Sequence, residues 1–168
     1  MRLRMVGAAL VTGCVSTVAG PPHVLTLDGA GGVRPGMSVV HVDASWGVHL
    51  KVEASGASAG CATASVRIGP IAGGALFQDG RFQAAWFTRG VRTPSGIRVG
   101  STLAALRRAY GSRLTREPAL YVRGVWLYYL RRAQSPHWRL RFDVSAASRV
   151  TSIGFGDANY VTAQEGCA

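Results

Sequence analysis

The chain repeats itself. Gly32-Val33-Arg34-Pro35-Gly36-Met37-Ser38 matches Gly96-Ile97-Arg98-Val99-Gly100-Ser101-Thr102, and with no gap Trp46-Gly47 then falls on Tyr110-Gly111 and Leu50 on Leu114. After a variable middle the match returns. Ala75-Leu76-Phe77, a turn and Arg81-Phe82 resemble Leu140-Arg141-Phe142, a turn and Arg149-Val150, and Phe87 falls on Phe155. Two matches in the same order around a similar interval confine the fold. Each copy forms the same short motif, and each has to bury its apolar face against something.

The motif reads as a helix followed by strands. Thr102 is a good N-cap residue before the apolar stripe of Leu103, Leu106, Ala109 and Tyr110, with Arg107 and Arg108 towards solvent and Gly111 as the stop. In the first copy Ser38 caps, Val39, Val42 and Trp46 form the stripe, and Gly47 stops; the valines make this the weaker helix. Alternation marks strands at Ala62–Ile68, Trp126–Arg131, Trp138–Val144 and Val150–Phe155. Ala75–Gln78, Asp79-Gly80 and Arg81–Phe87 read as a hairpin with a two-residue turn. The expected fold class is α+β: two tandem repeats, each a short helical segment packed on an antiparallel sheet. The repeats span 32–90 and 95–168, with Thr88 to Ser95 as the linker and the Gly/Pro-rich stretch 20–31 as a flexible leader.

The N-terminus reads as an export signal. Arg2 and Arg4 precede a mostly apolar run from Met5 to Val18, and Thr17-Val18-Ala19 sets small or β-branched residues before a cut at Gly20. The run is too short and too interrupted to span a membrane. Val11-Thr12-Gly13-Cys14 resembles a lipobox, which would instead end the signal at residue 13 and make Cys14 the lipid-bearing residue. The segment supports either cut: a free secreted or periplasmic protein, or a lipoprotein held to the membrane through its anchor alone. In an oxidising compartment the remaining pair, Cys61 and Cys167, is expected to form a disulfide.

Basic residues number 19 against 8 acidic ones, and Lys51 is the lone lysine. A GC-rich genome produces such an arginine bias; so does selection for an acidic partner. Trp126, Tyr128 and Leu130 share one face of a strand, Leu127 and Tyr129 the other, and one set has to pack on the helical layer. The other, close to Arg131, Arg132, Arg139 and Arg141, has the residue types of a protein-binding hot spot. The candidate binding residues are therefore Trp126, Tyr128, Arg131, Arg132, Arg139 and Arg141. No acid/base or nucleophile set stands out. His41 and Asp43 are two apart on a helix and do not face each other. His23, His41, His49 and His137 lack ligand spacing, so no metal and no cofactor are expected. Gly29 to Gly32 lacks the strand-to-helix context of a phosphate loop.

The repeat resembles that of the outer-membrane assembly lipoprotein family of the BamE/SmpA type. Gly36-Met37-Ser38, Val42 and Trp46-Gly47 carry the match in the first copy, and Gly100, Thr102, Leu106 and Tyr110-Gly111 in the second, where Ser101 replaces the usual Met. A tandem pair of such units is similar to the β-lactamase inhibitory protein type of secreted inhibitor. The resemblance implies a helical layer on an antiparallel sheet and activity by protein contact; the matched residues are structural, and no binding residue carries over. The expected function is that of a non-catalytic extracytoplasmic protein-binding module, an inhibitor or an envelope accessory protein. The alternatives are an arginine-rich protein that binds lipopolysaccharide, anionic lipid or wall polymer, and a small secreted hydrolase. Basic strands with interleaved aromatics also suit nucleic acid, but an exported chain is not expected to meet it.

Overall fold

The structure, a computed structural model, describes the backbone of residues 20–55, 58–132 and 135–164, and their side chains except those of 132, 135 and 136. The signal segment, Cys14 and Cys167 lie outside the described residues. A short ribbon of β1 (Leu25–Thr26) and β2 (Gly29–Ala30) leads into α1 (Val39–Trp46). Then come β3 (Val52–Ala54), β4 (Cys61–Ile68), β5 (Ile71–Gln78) and β6 (Arg81–Arg89). α2 (Leu103–Tyr110) precedes β7 (Leu114–Pro118), β8 (Trp126–Arg132), β9 (Ser135–Val144), β10 (Val150–Asp157) and the single turn of α3 (Ala158–Val161).

The strands from β3 onward form one eight-stranded sheet in the order β3-β4-β5-β6-β10-β9-β8-β7. This overturns the expected fold class. The molecule is not two tandem helix-on-sheet repeats, because β6 and β10 pair directly and antiparallel, Phe87 opposite Ile153 and Ala85 opposite Phe155. α1 and α2 have 8 residues each, so each is only about 12 Å long and covers a small part of so wide a sheet. The architecture is a largely β structure with few helices.

What repeats in the sequence is a local device. Gly36 and Gly100 both sit at φ 89°, a left-handed conformation that favours glycine. Each makes a backbone bond to the start of a later strand: Gly36 N–H to the Phe82 carbonyl (2.7 Å) and Gly100 N–H to the Val150 carbonyl (2.8 Å). The returning bonds run from Phe82 N–H to Met37 (2.8 Å) and from Val150 N–H to Ser101 (2.9 Å). Arg81 and Arg149 donate to the same two glycine carbonyls, at 3.4 and 3.0 Å. The helices then start one residue beyond Ser38 and Thr102, whose hydroxyls accept the N–H of His41 and Ala105.

One face of the sheet carries the core. Phe77, Phe82, Phe87, Phe142, Phe155 and Trp46 are almost wholly buried there. Phe87 and Phe155, matched in the sequence repeat, lie parallel with ring centroids 6.5 Å apart across the central seam. The opposite face is covered over β6, β9 and β10 by α3.

Two connecting segments are better ordered than composition suggests. Residues 20–31, expected as a flexible leader, dock into the core: Leu25 is fully buried and the Trp46 indole donates to the Ala30 carbonyl at 2.9 Å. The expected linker from Thr88 to Ser95 begins inside β6 and ends in a tight turn. There Thr93 is buried, its hydroxyl accepting from Tyr110 Oη at 2.7 Å and Ile97 N–H at 3.2 Å. Cys61 is buried and disulfide-bonded. Among the described residues no helix is long and apolar enough to cross a membrane.

Candidate functional site

The structure divides the expected binding residues between the two faces of the sheet. Trp126 and Tyr128 share the core face with Leu130, but Tyr128 is buried and its hydroxyl accepts from Arg107 at 3.4 Å. Arg131 stands directly opposite Arg139, on the other face. There Arg141 pairs with Asp143 at 2.7 Å and donates to the carbonyls of Val161 and Ala163. Arg139 is half-buried, and its Nε has no hydrogen-bond partner among the described residues. Arg131 is exposed; the Arg132 side chain lies outside the described set. Tyr128, Arg139 and Arg141 thus belong to packing, and of the aromatic pair only Trp126 reaches solvent, at 39% exposure.

Trp126 leads to a surface that strand alternation missed. The turn between β7 and β8 exposes Leu120, Tyr121 and Val122 at 70, 65 and 55%. Such an apolar cluster in water is unfavourable for a free protein and points to contact. The turn is well held. Ala119 N–H bonds to the Val125 carbonyl (3.0 Å), Val125 N–H to that of Val122 (3.2 Å), and the Gln164 carboxamide accepts from Leu120 N–H and donates to Pro118 and Glu117. Tyr129 Oη donates to Glu117 at 2.7 Å. Burial first, and that bond second, push the Tyr129 hydroxyl above the ordinary tyrosine range.

Arginines frame the tip. Arg116 lies 4.5 Å from the Trp126 ring centroid, stacking its guanidinium on the indole. Arg123 is exposed on the turn itself. Beside the hairpin an open depression of about 390 Å³ is lined by Arg107, Arg116 and Tyr128, with Leu114 below. The arrangement sets an apolar knob next to a cationic recess. Sequence reading missed it because Leu120-Tyr121-Val122 has neither helical nor strand period; an apolar triplet just after Pro118 was the available signal.

The catalytic alternatives have a plain local meaning. Ser38 Oγ lies 2.7 Å from His41 Nδ1, an exposed contact within the cap of α1. Asp43 accepts Leu50 N–H at 3.0 Å and pairs with the 95% exposed His49 at 3.2 Å. None of these residues lines the depressions described. Among the described residues no group of three His, Cys, Asp or Glu could hold a metal.

No protein-family model matches the chain, and no curated protein matches it. A solved structure of a cysteine-rich secretory protein from Staphylococcus aureus superposes with a TM-score of 0.51 at 10% identity, over 84% of this chain and 51% of that one. The chain thus spans about half the length of that structure. At this identity the likeness concerns the fold alone.

Proposed function

We propose that the chain is a non-catalytic, extracytoplasmic protein-binding module that grips its partner with the β7–β8 hairpin tip. The carrying observation is the cluster of Leu120, Tyr121 and Val122, exposed yet held by hydrogen bonds, with Trp126 and the stacked Arg116 behind it. Interface hot spots are enriched in Trp, Tyr and Arg. A preformed turn loses little conformational freedom on binding. The complementary partner is a protein with an apolar pocket flanked by carboxylates, which would meet Arg107, Arg116 and Arg123. The resemblance to envelope assembly lipoproteins and secreted inhibitors fits this reading, as does the N-terminal export pattern.

The test is affinity capture from envelope extract, then binding of the captured protein, repurified, to wild type and to Leu120→Ser with Tyr121→Ser. The expected result is a partner bound about tenfold or more weakly by the double variant. Equal binding by both, or no protein captured by the wild type, overturns the reading.

A further inference from the structure

A second cationic feature lies at the end of β6. His23, Arg89, Arg92 and Arg98 line an open cavity of about 690 Å³, and no acidic residue lines it. Arg92 and Arg98 form an antiparallel bridge, so their side chains leave the same side of that ribbon. Like charges directly opposite each other on paired strands destabilise the pair. Among the described residues, no hydrogen bond or ion pair engages the guanidinium of Arg89, Arg92 or Arg98. The unfavourable arrangement is fixed in place. Leu25 N–H bonds to the Arg92 carbonyl at 2.8 Å, Arg92 N–H to that of His23 at 2.9 Å, and the buried Thr93 anchors the turn that carries Arg98. Next to it, Gly90 lies so close to Pro70 and Ile71 that a Cβ would sit 2.6 Å from the Pro70 carbonyl oxygen. Three exposed arginines thus stand around one cavity on a stiff frame, and among the described residues no acidic side chain pairs with them.

We infer that this cavity binds a ligand carrying clustered phosphate groups, held by Arg89, Arg92 and Arg98. A guanidinium presents its donors as a planar fork that matches the oxygens of a phosphate. Several guanidiniums around one space much wider than a single phosphate suit a ligand with more than one. Such groups occur on anionic lipid headgroups and on soluble or polymeric phosphates, and the experiment separates the two.

Tripolyphosphate is titrated calorimetrically into the full chain, and into Arg92→Gln with Arg98→Gln. A control of equal charge loss, Arg108→Gln with Arg113→Gln, removes exposed arginines that do not line the cavity. The expected result is saturable binding that weakens about tenfold or more in the cavity variant and stays within about twofold of wild type in the control. The unliganded cavity variant should also melt at a higher temperature than wild type, since its repulsion is gone; this readout shows that it folds. Sedimentation with phosphatidylglycerol vesicles then assigns the source. Vesicle retention displaced by tripolyphosphate places the phosphates on a headgroup, and tripolyphosphate binding without retention places them on a soluble or polymeric ligand; either supports the cavity. Absent or non-saturable tripolyphosphate binding, or equal weakening in the control, overturns it.

Discussion

Thr93 has one hydroxyl and two partners, Tyr110 Oη and Ile97 N–H, all in the core margin. Thr93→Val keeps the shape and strands both donors. The expected cost is about 2 kcal/mol, since a buried group left unpaired costs more than a bond contributes, and urea denaturation measures it. Tyr129 sets an alkaline limit. Its hydroxyl titrates higher in the folded chain than the ordinary tyrosine value of about 10. The unfolded chain therefore releases that proton first as pH rises. Stability from this group is complete below about pH 10 and falls as pH climbs towards the folded value. Thermal midpoints of wild type and Tyr129→Phe should differ most below pH 9 or so and draw steadily closer as pH rises above about 10; a constant gap would remove Tyr129 from this role. At this scale the sequence showed the helix starts: Ser38 and Thr102 cap where capping chemistry puts them. Tyr128 and Arg141 were misplaced because alternation assigns a residue to a face without saying what covers that face.

Among the elements, β10 tolerates little change. Gly156 lies at φ 154°, and a Cβ there would stand 2.3 Å from the Gln83 carbonyl oxygen and 2.5 Å from Ala84 Cα. Both obstacles are backbone of β6, so they cannot turn aside. Gly156→Val should cost about 3 kcal/mol or more through strain alone, seen as a large fall in the denaturation midpoint. A midpoint within error of wild type would show that the seam is looser than drawn. The elements themselves were legible, because Trp138–Val144 alternates and Asp79-Gly80 makes a turn in any context. The pairing of β6 with β10 was not. Periodicity is a property within a strand, whereas pairing depends on edges distant in sequence. The docking of residues 20–31 was hidden for a related reason: Gly and Pro signal freedom locally, while Leu25 and the Ala30 carbonyl are fixed by Trp46, far along the chain.

The whole molecule shares one core across the seam, with Phe82 and Phe87 of one half against Phe155 of the other. Neither half buries these rings alone. Calorimetry of the oxidised chain should show one transition whose calorimetric and van't Hoff enthalpies agree; two separable transitions would mean two bodies. The seam also has a near-twofold logic. In the repeat alignment that sets Phe87 on Phe155, Trp86 falls on Gly154, and these two stand directly opposite each other. The strand thus meets its own counterpart antiparallel about a local twofold, as in the isologous interface of a symmetric dimer. Yet the two places are filled unlike. A Cβ on Gly154 would lie 2.6 Å from Trp86 Cδ1, so the indole occupies room that only a missing side chain leaves. Two first halves brought together would set indole on indole, and two second halves would leave a gap. Tryptophan and glycine therefore fit as key and keyway between the two unlike halves of one chain.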